Sequence, residues 1–396
     1  MIKIIFKNIV YIIKLAFILV MDFTVFFFVK SVKINENKLL LIRTDAIGDY
    51  IIFRNFIEKL KKSERYNNHE ITLCGNIRWK DLAEKLDKNY ISNFIWVDKT
   101  KFLTDLKYRY QILRKIKLNG YSDCIHPIYS REFLYGDIMV KFSNSTNRIG
   151  NYGDLSNQTR LQKFISDFYY TKLIDNKKVV IHEFERNKEF FEKLLNENIN
   201  IKKPEIVLSE YNNADFFEKL NEYGNFIVIF PGAEANFRRW NEKNYAAISS
   251  YINNKFGFKI IIAGGPGDKK IAENIIRMAG NSNIIDLTGA TNLYELCILL
   301  SKSKLLISND TSAFHIGVAV NTKTICISNG NHFGRFPTYP ENIDNIKVIY
   351  PPKIMDNFNE KNLLIEKYGN GSDLNINLIN INNVISIIDN FLIEGS

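Results

Sequence analysis

The stretch Ser308-Asn-Asp-Thr-Ser-Ala-Phe-His-Ile-Gly317 lies between two apolar runs, Lys304-Leu-Leu-Ile307 and Thr324-Ile-Cys-Ile-Ser328. Its period reads as a buried strand, a polar turn, a helix carrying Phe314, Ile316, Val318 and Ala319, and a second strand. Asp310 and Thr311 fall on the strand-to-helix turn, where unpaired backbone N–H groups and the helix dipole favour an anion. Ligands of open α/β sheets gather at the carboxyl ends of the strands, so a phosphorylated ligand is expected at this turn. The plainer reading is that Asp310 or Thr311 caps a helix.

The same strand–turn–helix pattern recurs on both sides. Upstream, Phe226-Ile-Val-Ile-Phe230 stops at Pro231-Gly232, Lys259-Ile-Ile-Ile-Ala263 at Gly264-Gly265-Pro266-Gly267-Asp268, and Ile284-Ile-Asp-Leu287 at Thr288-Gly289. Further back, Leu39-Leu-Leu-Ile42 runs into the turn Arg43-Thr-Asp-Ala-Ile-Gly48-Asp49 and a helix from Tyr50 to Leu60. Only Gly48 stands in that turn, so it is no dinucleotide fingerprint. Strands follow at Glu70–Cys74, Phe94–Val97 and Tyr121–Ile125, and Arg148–Gly150 closes the set. Such alternation predicts two doubly wound α/β domains facing a cleft, over residues 38–215 and 216–396. The segments 151–175 and 339–373 read as loops, the first facing the acceptor, and Leu378–Ile393 as a closing helix.

A chain of 396 residues, 46% hydrophobic, can bury a large core. Its formal charge of +10 fits an anionic partner. Nucleic acid is not expected, because no recognition signature or basic-aromatic block accompanies the charge. The four cysteines form no C-x-x-C pair, and the five histidines have no metal-ligand spacing. No metal site is expected.

Residues 1–37 stand apart. From Ile9 to Val29 the chain is apolar except for Lys14, Asp22 and Thr24, and Lys3, Lys7 and Lys14 share one helical face. That pattern suits a helix lying in a membrane interface. Lys14 and Asp22 would be costly in a spanning helix, and no cleavage pattern marks a signal peptide. A helix packed on the protein's own surface is the alternative.

Three turns in the second half share one sheet edge: Pro231-Gly232 with Arg238-Arg239-Trp240, Gly264 to Asp268, and Asp310-Thr311-Ser312. They offer small residues for close backbone approach, two guanidinium groups and two carboxylates. A nucleoside diphosphate sugar would use that set, with cations on the diphosphate and carboxylates on hydroxyls. Taken singly, each turn is an ordinary one.

In this order the motifs resemble the heptosyltransferase family, glycosyltransferase family 9, over Lys38 to Gly330. The similarity rests on Leu39–Asp49, Phe230-Pro-Gly-Ala233 through Arg239-Trp240, Ala263–Asp268, Asp286-Leu-Thr-Gly289, and Ser308-Asn-Asp-Thr311 through His315. The resemblance implies a GT-B fold and an inverting, metal-independent transferase without a cofactor, using a nucleotide sugar, ADP-heptose first. The absence of an Asp-x-Asp motif agrees. The implied acceptor is lipid-linked or a core oligosaccharide, at the inner face of the cytoplasmic membrane. By match of position, Asp49 would be the general base, with Arg43 and Asp45 beside it on the acceptor side and Asp45 as its rival. Arg238, with Arg239 next to it, would meet the phosphates. Gly265 and Asp268 would serve the nucleotide, Asp310 the donor sugar, and Thr311 and Ser312 the leaving diphosphate. His315 would orient the loop. Ser312 and Ala313 replace the family's glycine and proline, and Arg replaces a customary Lys near position 238. A sugar-nucleotide epimerase and a non-catalytic nucleotide-sugar-binding protein are the other readings.

Overall fold

The computed structural model describes residues 17–393 except 19, 25–26, 31, 210–212, 281–282 and 340–342. Strands β1 (Asn35–Arg43), β2 (Glu70–Asn76), β3 (Asn93–Val97), β4 (Tyr121–His126), β5 (Asn147–Asn151) and β6 (Lys172–Ile174) form one sheet, ordered β3-β2-β1-β4-β5-β6. Strands β7 (Phe226–Phe230), β8 (Lys259–Ile262), β9 (Ile284–Asp286), β10 (Leu306–Asn309), β11 (Thr324–Ile327) and β12 (Ile346–Ile349) form the other, ordered β12-β11-β10-β7-β8-β9. Every pairing is parallel. Counted from its own first strand, each sheet has the doubly wound order 3-2-1-4-5-6.

The central strands are unbroken apolar runs because helices cover both their faces. Leu39, Leu40, Leu41 and Ile42 are all fully buried. Strand order reverses between β1 and β4 and again between β7 and β10. The chain leaves β1 into Arg43–Asp49, β7 into Pro231-Gly232 and β10 into Asp310-Thr311, so the decisive turns sit at the two switch points, where ligands of such sheets bind. One apolar cluster runs through both halves, from Leu39, Phe53 and Phe191 to Leu296, Leu306 and Ile316. Within it, helix Ile47–Phe53 packs on helix Ser312–Ala319. The expected two-domain GT-B arrangement is present.

Two segments differ from the sequence reading. Residues 151–175 are not one loop: they hold helix Arg160–Asp167 and the edge strand β6. Thr159 and Gln162 form a capping box there, a start signal legible in the sequence. Leu161, Phe164, Ile165 and Phe168 repeat at helical spacing yet are exposed, 68, 63, 39 and 72% respectively. Residues 339–373 supply β12 and helix Lys361–Tyr368 rather than only an irregular insertion.

Of the N-terminal segment, residues 1–16, including Lys3, Lys7 and Lys14, lie outside the described residues. Around Asp22 the chain is helical and docks on the first domain. Both oxygens of Asp22 accept from Arg109 at 2.7 Å, and the guanidinium is fully buried. Met21 and Val29 pack against the core beside this pair. Asp22 is thus held inside the protein, while Phe17, Val20, Phe23, Phe27 and Phe28 stay exposed. Among the described residues no helix is long and apolar enough to cross a membrane.

Candidate active site

Strand β1 ends at Arg43, whose side chain is 2% exposed. Its Nε and Nη2 hold both oxygens of Asp45, at 3.0 and 2.8 Å, and Nη1 donates to Asn187 Oδ1 at 3.0 Å. Its plane lies over the Phe53 ring. A guanidinium fixed on so many sides sets the shape of the turn more than it meets a ligand. Burial, outweighing Arg43 and aided by the Asp49 charge, pushes Asp45 up to about 7.

Asp49 stands in the first turn of helix Ile47–Phe53, where the dipole favours a carboxylate. One oxygen, Oδ2, accepts from Ala46 N–H at 3.2 Å, its single hydrogen bond among the described residues. Burial raises its pKa, Arg43 and Arg335 lower it, and Glu183 raises it further. Of the two carboxylates, Asp45 has both oxygens engaged and Asp49 keeps Oδ1 unengaged. Asp49 is therefore the carboxylate of this turn with an oxygen left to meet a ligand.

Gly48 is where the two domains touch. A Cβ there would stand 3.0 Å from His315 Cδ2 and 3.7 Å from the Ser312 Cα. The turn after β1 and the helix that follows β10 therefore adjoin, with only the His315 ring against Gly48. His315 is buried and pairs through Nδ1 with the Tyr339 hydroxyl at 3.0 Å. Burial, with His182 nearby, pushes it down to about 3, so it is neutral. That arrangement suits positioning of the turn.

On the donor side, Thr311 occupies the N-cap of helix Ser312–Ala319 but no side chain caps it. Thr311 Oγ1 and Arg238 Nε are buried without partners among the described residues. Asp310 is 6% exposed, and its carboxylate accepts no hydrogen bond among those residues. Burial, against the Arg238 charge, pushes Asp310 up to about 6. The plain capping reading of this turn thus has no bond to support it. Buried polar atoms left open at a helix start are suited to meet an anionic ligand.

The other donor-side residues carry structure. Arg239 Nε donates to Ala233 O at 2.8 Å. Asp268 Oδ2 accepts from Gly265 N–H at 2.9 Å. The Asp268 carboxylate also lies 2.4 Å from where a Cβ of Gly232 would stand, so it packs the β8 turn closely against the β7 turn. Asn309 completes the scaffold: Nδ2 donates to Pro231 O at 2.7 Å, and Oδ1 accepts from Trp240 N–H and Tyr245 Oη. The three turns are brought together as expected, by Asn309 and Asp268.

Between the domains lies a cleft of about 810 Å³, lined by Arg43, Asp45 and Asp49 and, from the second domain, by His332, Arg335 and Phe336. Sequence reasoning missed Glu183 and Arg335. Arg335 Nε donates to Glu183 Oε1 at 2.6 Å, and Nη2 donates to Ser130 Oγ at 2.9 Å. This bond crosses between domains and carries charge to the neighbourhood of Asp49. Asn309 lay inside the decisive stretch, but nothing in its spacing told of its three partners.

A family model described as glycosyltransferase family 9 (heptosyltransferase) matches residues 139–363, more than half of the chain. Lipooligosaccharide heptosyltransferase 2 of Haemophilus ducreyi is 34% identical over 114 residues, 27% of this chain and 32% of that protein. The chain thus matches about a third of that relative's length. A glycosyltransferase family 9 structure from Veillonella parvula superposes with TM-score 0.69 at 18% identity, covering 92% of this chain and 99% of that one. An E. coli heptosyltransferase solved with ADP gives 0.66 at 15% identity, covering 89% and 99%. Those structures speak for the fold, and with the family match they place the two-domain architecture and its cleft in one lineage: the chain belongs to glycosyltransferase family 9.

Proposed function

We propose that this chain is an inverting glycosyltransferase that moves a sugar from a nucleoside diphosphate donor to a hydroxyl of a lipid-linked or oligosaccharide acceptor of the cell surface. ADP-heptose is the donor we favour, since the family is described by heptose transfer and a relative in fold was solved with ADP. One observation carries the reading: the turn bearing Asp49 abuts the uncapped helix start at Ser312, beside buried Asp310 and the unpartnered buried atoms Thr311 Oγ1 and Arg238 Nε.

In the proposed reaction Asp49 takes the proton of the acceptor hydroxyl as its oxygen bonds the anomeric carbon. The bond from that carbon to the diphosphate oxygen breaks, and the electron pair leaves with the nucleoside diphosphate. Arg238 and the N–H groups at the start of helix Ser312–Ala319 meet the charge that develops there. Asp310 receives hydroxyls of the donor sugar. Gly265 and Asp268 shape the nucleotide end of the site.

Attachment to the membrane surface is part of the proposal. Exposed Phe17, Val20, Phe23, Phe27 and Phe28 lie on a helix whose other face docks through Asp22. Tyr169 packs in the same cluster as Met21 and Val29 and follows the exposed apolar helix Arg160–Asp167. That helix in turn packs on the loop carrying Leu155, a wall of the cleft, through Lys163 Nζ to Tyr152 O at 2.7 Å. A lipid-linked acceptor would then approach along an apolar flank.

The test is product mass after incubation with a panel of sugar nucleotides and glycan acceptors. Asp49→Asn should lose turnover and keep donor binding, read as thermal stabilisation by the sugar nucleotide. Full turnover in Asp49→Asn sinks the base assignment. Free epimerised sugar nucleotide formed without acceptor sinks the transferase reading.

A further inference from the structure

We infer that the acceptor sugar is uncharged at and next to the reacting hydroxyl, so the cleft selects a neutral glycan terminus over a phosphorylated or carboxylated one. This rests on the transferase reading above and specifies its acceptor class. The observation is how the cleft's own charges are matched.

Four cations line the cleft, Arg43, Lys178, Arg186 and Arg335, against five carboxylates, Asp45, Asp49, Glu132, Asp154 and Glu183. Its histidines add no charge near neutrality, because burial holds His126 well down and lowers His332 as well. Each guanidinium is already engaged within the protein. Arg43 is held by Asp45, and Arg335 by Glu183 and Ser130. Arg186 donates to the carbonyls of Lys177 and Val179 at 2.9 and 2.8 Å and lies 3.7 Å over the Tyr129 ring. Lys178 is exposed at the rim.

A site for phosphate or carboxylate presents guanidinium forks that point outward and lack internal partners. This cleft does the reverse. Asp49 has an unengaged oxygen, and Asp154, bonded to Ser130 and Ser156 hydroxyls, faces the same space. Carboxylates and hydroxyls are what sugar hydroxyls bind, and an anion beside Asp49 would meet a like charge. Tyr135 adds a buried hydroxyl in the cleft wall, beside the Thr44 side chain.

The experiment titrates the protein, loaded with ADP, with a neutral heptose or hexose disaccharide methyl glycoside and with its monophosphate ester, by calorimetry. The neutral ligand should bind roughly tenfold tighter or more, since like charges brought together disfavour a partner. Asp154→Asn should narrow that ratio severalfold, a change that a merely structural role would not make. Equal or tighter binding of the phosphate ester, or binding of neither, overturns the inference. Thermal stabilisation by the sugar nucleotide is measured separately, so failure of the donor half is told apart from failure of the acceptor class.

Discussion

Gly48 and His315 meet at the interface between the domains so closely that a single added Cβ would stand 3.0 Å from the imidazole. The ring cannot retreat freely, because Tyr339 holds its other side at 3.0 Å. Gly48 lacks a positive φ, so the demand is for space and not for backbone freedom. Gly48→Val should push the two turns apart while each domain stays folded. Displacements near 1 Å at a reacting centre cost about 100-fold in rate. We expect a loss of about that size in kcat, with far-UV circular dichroism unchanged. Activity within twofold of the parent would show that the turns need not touch.

Asp310 makes the ligand-free protein sensitive to pH. Its folded pKa, raised by burial to about 6, lies above the ordinary value of 3.8. Between those values the native state holds a proton that the unfolded chain has released, so stability falls as pH rises through the interval. The penalty above about pH 7 is on the order of 3 kcal/mol. Asp310→Asn should therefore raise Tm at pH 8, leave it nearly unchanged at pH 4, and abolish stabilisation by the sugar nucleotide. A Tm that does not move at pH 8 would show that burial does not raise this carboxylate.

The strand-and-turn framework was legible because parallel strands covered on both faces must be apolar throughout, as Leu39–Ile42 and Phe226–Phe230 are. Asp310 stood out as the carboxylate of the turn that ends such a run, whereas Asp49, seven residues beyond Ile42, was singled out only by the match of its Gly-Asp turn to the family. Arg335 and Glu183 were not, since they are 152 residues apart and only the packing of the domains makes them a pair. Asp268 and Arg239 looked like ligand groups because charge in a glycine-rich turn suits phosphate equally well, and only their bonds to Gly265 and Ala233 show another use. Helix Arg160–Asp167 was missed although its period is regular, because its apolar residues face outward and flanking polar residues hid the pattern.

The acid limb of the rate profile should report Asp49. Burial raises its pKa, Glu183 raises it, and Arg335 lowers it. Since the base acts only when ionised, kcat/KM should fall on acidification at a pH above that of an ordinary carboxylate. Arg335→Met removes a favourable charge and should move the limb to higher pH. Glu183→Gln removes an unfavourable one and should move it lower. Shifts in the same direction for both variants would mean that structural damage, not charge, governs the profile.

Leu161, Phe164 and Phe168 touch water over most of their surface, so their replacement should leave the fold alone. If they enter a lipid interface, each buries apolar area worth about 25 cal/mol per Å². The triple variant Leu161→Ser, Phe164→Ser, Phe168→Ser should then lower partitioning onto phosphatidylglycerol–phosphatidylethanolamine vesicles at least about tenfold in sedimentation. Its Tm should stay within about 2 °C of the parent. Arg109→Met works from the other side: it leaves Asp22 buried without its partner, at a cost of about 3–5 kcal/mol where the helix docks. That helix should then detach and yield to protease, with the rest of the domain intact. Unchanged partitioning of the triple variant would confine any membrane contact to the N-terminal helix and remove Arg160–Asp167 from it.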